Sequence, residues 1–172
     1  LNSTGADASR YNSVSVGINV ENPAATSVGI GRDITTPSGS TLRSNIVAIG
    51  DTITTSQSNQ VGIGYNITLS STGSHIGIGR DLTSSSTGTG VNIGYNQSTS
   101  KSGVAIGDNN TGTEGVAIGK TASVSRSSSV AIGSAVTASS VSSTVIGSTS
   151  ASGQGGVSIG TSTAAGQNGV AI

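Results

Sequence analysis

His75 is the only histidine of the chain, so general acid–base chemistry of the imidazole kind would have to be built on it. A Ser-His-Asp arrangement also needs an activated serine, and no Gly-x-Ser-x-Gly stretch surrounds any serine here. His75 stands just before Ile76, at a place where comparable stretches carry Gln60, Gly90 or Gly103, which assigns it a structural or solvent-facing role. Gly-rich stretches such as Gly77-Ile78-Gly79 lack the Lys-Ser/Thr of a phosphate loop. Acidic residues are scattered, the Gly-Gly-x-Gly-x-Asp calcium repeat does not occur, and no cysteine is present to hold zinc or to form a disulfide. The sequence therefore predicts no enzyme, no cofactor and no metal site. Asn66-Ile67-Thr68, Asn96-Gln97-Ser98 and Asn109-Asn110-Thr111 are formal glycosylation sequons of the kind a Ser/Thr/Asn-rich chain produces by chance. Thr52-Ile53-Thr54-Thr55 raises an ice-binding reading, but its matching positions, Thr35, Thr68, Thr83, Ser98 and Thr111, form only a partial ladder.

What organises the chain is a repeat. Val130-Ala131-Ile132-Gly133 returns in some version twelve times between Val16 and Ile172, at a mean spacing of 14 residues. The third position is Ile in every copy, the first is Val in ten, and the second is Ala or Gly in nine. The longest interval, 19 residues from Val28 to Val47, holds a turn-forming insertion at 36–44 that includes Thr36 to Arg43. Residues 1–13 read as a lead-in and 14–172 as the repeat region.

The spacing predicts β-structure throughout, since β-branched residues with one Gly per repeat oppose helix formation. Val and Ile two residues apart face one side of a short strand, and the residue between them faces the other. A second, weaker pair follows six and eight residues after the first position, as in Ile67 and Leu69 or Ala122 and Val124, so each coil reads as strand, turn, strand, turn. About twelve such coils stack into a parallel β-roll, a β-solenoid. The expected core is the Val/Ile pair: Val47, Ile49, Val61, Ile63, Val104, Ile106, Val116, Ile118, Val130 and Ile132. Ala48, Gly62, Gly77, Ala105, Ala117 and Ala131 then face outward, where small apolar residues in a row imply the close approach of another chain.

Composition sets further bounds. The chain has no Phe, Trp, Met or Cys, so its core must be thin and long. Seven basic and seven acidic residues leave no net charge to neutralise a phosphate backbone, which excludes nucleic acid as the expected partner. No apolar run approaches the ~20 residues of a membrane span, so no membrane contact is expected from this stretch. The missing initiator Met and the end inside a repeat read as a piece of a longer protein. The fourth residue after each motif start gives a column, Arg32, Asp51, Tyr65, Arg80, Tyr95, Asp108 and Lys120, that would form a surface ladder if coils stack in register.

Asn45-Ile46-Val47-Ala48-Ile49-Gly50, Gly115-Val116-Ala117-Ile118-Gly119 with Ala122, and Ser129-Val130-Ala131-Ile132-Gly133 with Ala135 and Ala138 resemble the Asn-Ser-Val-Ala-Ile-Gly head repeat of YadA-like trimeric autotransporter adhesins. The resemblance covers about nine tenths of the chain, from Val16 to Ile172. It departs where the Ser before the motif becomes Gln60, His75, Gly90 or Gly103, and where the Ala position becomes Gly in the first half. It implies a left-handed parallel β-roll, a homotrimer around one axis with the small residues named above on the trimer face, and an extracellular bacterial adhesin head. Outer-membrane anchoring would come from regions outside this stretch, and the implied ligand is a host or matrix protein or glycan. Phage and injection-machine tail fibres use similar repeats, so a virion shaft or receptor-binding segment is the alternative. Acyltransferases of the left-handed β-helix kind resemble a hexapeptide repeat with an 18-residue coil, which the 14-residue spacing here does not match.

Overall fold

The computed structural model describes residues 12–24, 26–36, 45–70, 72–85, 87–148, 150–151, 153–161 and 167–172. All their regular structure is β-strand, wound into a parallel solenoid. The motif strands pair in one unbroken register: Val14, Val28, Val47, Val61, Ile76, Val91, Val104, Val116, Val130, Thr144, Val157 and Val170 lie side by side in that order. A second ladder, from Glu21 through Thr35, Thr54, Thr68, Thr83, Ser98, Thr111, Ser123 and Thr137 to Ser150, forms the opposite wall. About ten coils thus have both walls within the described residues. The lead-in 1–11 and the insertion residues 37–44 lie outside them.

The register corrects the start of the repeat. Val14 pairs with Val28 and Gly17 with Gly31, so the first coil begins at Val14-Ser15-Val16-Gly17 and not at Val16. Thr36 is likewise part of the wall and not of the insertion, because it is buried and its N–H donates to Glu21 O at 2.9 Å.

Glycine at the fourth motif position makes the corner. Gly64 has φ 138° and Gly119 φ 132°, a region open in practice only to glycine. A Cβ on Gly64 would lie 1.8 Å from Gly79 O in the next coil, and one on Gly119 2.0 Å from Gly133 O. The same contact recurs along the stack, so absence of a side chain lets each coil settle on the next. Two residues later the chain enters the left-handed region again, at Asn19, Asp33, Thr52, Asn66, Asp81, Asn96, Asn109, Thr121 and Ala135. Asn and Asp tolerate that conformation best. Here they also bond along the stack, Asn19 Nδ2 to Asp33 Oδ1 at 2.8 Å and Asn66 Nδ2 to Asp81 Oδ1 at 2.6 Å.

The facing of the motif strand is the reverse of the sequence expectation. Ala48, Ala105, Ala117 and Ala131 are 0 % exposed within the single chain, and Gly62 and Gly77 are buried with them. Val47, Ile49, Val61, Ile63, Val104, Ile106, Val116, Ile118, Val130 and Ile132 all stand on the outer side, half-buried. The reason is room. The interior is already filled from the second wall by Ile34, Ile53, Ile67, Leu69 and Leu82, each fully buried. A Cβ on Gly62 would come within 2.8 Å of Ile53 Cγ2, and one on Gly77 within 3.1 Å of Ile67 Cγ2. Where the second wall shrinks to Ala122, Val124, Val136 and Ala138, the motif position grows to Ala117, Ala131 and Val145, all still buried. Interior volume is therefore shared between the walls, as close packing demands.

Two outcomes test this geometry. Gly64→Ala should destabilise the roll by about 3 kcal/mol or more, from backbone strain and the collision with Gly79. Ala135→Asn, at φ 56°, should stabilise it by about 1 kcal/mol. Chemical denaturation of both variants measures the two effects.

Candidate functional surface

No cleft dominates the described surface, so the candidate sites are columns that the coil repeat generates. The largest is the outer side of the motif wall. Ile30, Ile76, Ile78, Ile93, Ile146 and Ile159 are between 36 % and 40 % exposed, and they stand in two parallel rows with the valines beside them. The rows run the length of the described stack, ~50 Å at ~4.8 Å per coil. An open groove of about 580 Å³ follows one margin, lined by Val61, Ile76, Val91 and Val104 from that wall together with His75, Gly90 and turn residues such as Asn45 and Asn59. It is continuous with the apolar rows and belongs to the same surface.

At the corner stands the column of mixed side chains. Arg32 pairs with Asp51, Asp51 with Tyr65, Tyr65 with Arg80, Arg80 with Tyr95, Tyr95 with Asp108 and Asp108 with Lys120 in strand register. Arg32 grips the Asp51 carboxylate through Nε at 3.2 Å and through Nη2. That bond holds the Asp51 carboxyl below its ordinary range. The Arg80 guanidinium lies 4.7 Å from the Tyr95 ring centroid and also pairs with Asp81 at 3.2 Å. Asp108 and Lys120 are neighbours without an ion pair between them. Apart from the half-buried Asp51 and Asp108 these groups are exposed, so they add little to stability and act mainly as register marks, because a slipped coil would mispair them.

His75 lies inside. It is 1 % exposed, and its Nδ1 is 2.5 Å from Ser84 Oγ, which in turn accepts a hydrogen bond from Thr99 Oγ1 at 3.2 Å. Gly90 is small here for a reason, since a Cβ on it would sit 2.7 Å from His75 Nδ1. Burial pushes the imidazole below its usual value, with the Gly88 backbone opposing in part. The neighbouring coils carry further interior polar groups: Asn110 donates to Ile106 O at 2.7 Å and Gly119 O at 2.8 Å, and accepts from Ala122 N–H at 2.6 Å. These amides tie adjacent coils together. Sequence reading did not find them, although Asn and Gln at positions otherwise held by Ile and Ala were the signal.

Among the described residues no group of three or more His, Asp or Glu side chains is placed to hold a metal ion. Comparison of the chain with known families, with curated proteins and with solved structures found no match.

The buried His75 sets a pH dependence. Its folded-state value is depressed, so the neutral form is preferred on folding, and stability is complete above the unfolded value of about 6.5 and is lost as pH falls from there towards the folded value. Gln60 occupies the equivalent place one coil earlier, so His75→Gln is accommodated by the fold. The melting temperature of the native chain should fall on acidification just below pH ~6.5, and that of His75→Gln should stay level there, as followed by calorimetry. Equal slopes for the two would refute the assignment.

Proposed function

We propose that this chain is a section of a non-enzymatic surface fibre in which three copies pack their Val/Ile walls together around a common axis. The observation that carries the reading is the apolar wall, whose Val/Ile rows are interrupted only by Thr144. Its two rows form a contiguous stretch of half-exposed Val and Ile, and large contiguous apolar surfaces mark association. The occupant is a further copy of the same chain, because the rows repeat at the coil spacing and only another solenoid offers matching rows over the same length. Closure at three and a left-handed winding follow from the likeness of the motif to YadA-like head repeats. A closed ring is also what keeps a head-to-tail contact from growing without limit.

On the same likeness, the fibre is the head of a bacterial adhesin, displayed outside the cell and attaching to a host or matrix surface. Binding then falls to exposed corners and turns, repeated along a rigid rod and once per chain around it. Weak single contacts gain avidity from that repetition. The Arg32 to Lys120 column supplies charge and aromatic variety at the corner.

Sedimentation of the native chain should give a trimer. Ile78→Asp with Ile118→Asp should dissociate it, since both side chains lie on the outer wall, and the corner geometry should survive. Ala117→Arg should instead unfold the chain, as no room exists inside the roll. A native monomer would overturn the assembly. Failure of an intact trimer to bind immobilised collagen, fibronectin or host-cell glycans would overturn the adhesin reading and leave the assembly standing.

A further inference from the structure

Two separate aliphatic cores fill the roll. Val20, Ile34, Ile53, Ile67 and Leu82 belong to one cluster of buried apolar side chains, and Ala117, Val124, Val136 and Val145 belong to another. Between them lie two coils, ~10 Å of stack, with little that is apolar inside. The coil at 90–102 turns Gly90, Asn92, Gln97 and Thr99 inward, and the coil at 103–114 turns Ala105 and Asn110 inward between two glycines. The strands change habit at the same place. From Val14 to Ser84 each coil is one strand of 8–10 residues bent across both walls, whereas Gly90–Tyr95 and Ser98–Thr99 are separate strands.

The hydrogen bonds inside these two coils point away from each other. Asn92 Nδ2 donates to Thr83 O at 2.9 Å and Thr99 Oγ1 to Ser84 Oγ at 3.2 Å, both in the preceding coil. Asn110 Nδ2 donates to Gly119 O at 2.8 Å and its Oδ1 accepts from Ala122 N–H at 2.6 Å, both in the following coil. Gln97 Nε2 turns back to Tyr95 O of its own coil, at 2.7 Å. Among the described residues no interior side chain bonds across the step from the 90–102 coil to the 103–114 coil. The first of these coils also holds two buried acceptors, Asn92 Oδ1 and Gln97 Oε1, that have no partner in the protein. What spans the step is the backbone ladder of the two walls and, at the exposed corner, Asn96 Nδ2 donating to Asn109 Oδ1 at 2.5 Å.

Stability in a stacked repeat is close to a sum of coil terms and nearest-neighbour interfaces, so cooperativity is lost first across the weakest interface. Opening this step uncovers little apolar surface and lets water reach the two unpartnered acceptors. We propose that the step between the 90–102 and 103–114 coils is a parting plane that divides the rod into two cooperative blocks. The block before it is filled by Ile and Leu, which bury more apolar surface per coil than the Ala and Val beyond it, so it holds after the second block has opened. A section that is pulled or heated then yields one half at a time, and the surviving block keeps a register on which the other can rewind. The plane lies within the single chain, whatever number of copies surrounds it.

Hydrogen exchange of the full chain in rising denaturant, read by mass spectrometry of its peptides, locates the plane. Amides of 46–69 and of 117–138 should exchange in two classes, the second with several-fold lower protection, and the change of class should fall within 90–112. Ile67→Val should lower protection in the first block several-fold and leave 117–138 unchanged. Gln97→Leu with Asn110→Leu continues the row of Ile53, Ile67 and Leu82 across the plane with side chains of similar size, and the folded variant should exchange as one class. A single class in the native chain would overturn the proposal, as would a change of class outside 90–112. So would an equal loss on both sides from Ile67→Val, or two classes persisting in the folded double variant. The native and Ile67→Val patterns decide the matter even where the double variant does not fold.

Discussion

Every coil depends on a residue that has no side chain. The carbonyl of each motif glycine lies where a Cβ on the glycine of the preceding coil would have to be, 1.7–2.3 Å away at Gly17, Gly31, Gly50, Gly64, Gly79, Gly94, Gly107, Gly119, Gly133 and Gly147. That contact sets how closely coils approach at the corner, and the approach in turn fixes the two ladders in register. Once the register is fixed, any residue type repeated at one position becomes a column, and the function of such a chain is a matter of which columns face outward.

Three outward columns result, each with different physics. The motif wall is apolar and is suited to burial against its own kind. The corner column mixes charges and tyrosines, whose contribution lies in specificity of pairing and not in stability. The second wall is neutral and hydroxylic. Between the walls the interior is thin, and it alternates between aliphatic coils, centred on Ile53, Ile67 and Leu82, and amide-rich coils around Gln97 and Asn110. Since a thin core buries little per coil, the proposed sealing of the motif wall against other copies would add a second apolar layer at no cost in fold complexity.

Much of this was legible in the sequence, and the part that was not has a definite cause. The period gave the coils, the β-class and the alignment of Arg32 with Asp51 and of Arg80 with Tyr95, because register follows directly from spacing. The facing of the strand was not legible from hydrophobicity, which places Val and Ile inside and Ala and Gly outside. In a narrow roll the rule inverts, since the second wall already fills the space and only small residues fit opposite it. The signal was present in the pairing of sizes: Gly62 and Gly77 accompany Ile67 and Leu82, while Ala117 and Ala131 accompany Ala122 and Val136. The first coil was misplaced by two residues for a similar reason. Val14-Ser15-Val16 and Val16-Gly17-Ile18 both fit the apolar pattern, and only the glycine column, with Gly17 at φ 139°, decides between them.

The facing of the motif strand is the claim on which the assembly rests, and thiol labelling reads it directly because the native chain has no cysteine. Ala117→Cys and Ile118→Cys place one thiol on each side of the same strand. The thiol at position 117 should remain unreactive at every protein concentration until the chain unfolds. The thiol at position 118 should be protected when the chain is concentrated and become reactive on dilution, as the walls separate. Rapid labelling at 117 in the folded chain, with concentration-independent protection at 118, would show that the strand faces the other way.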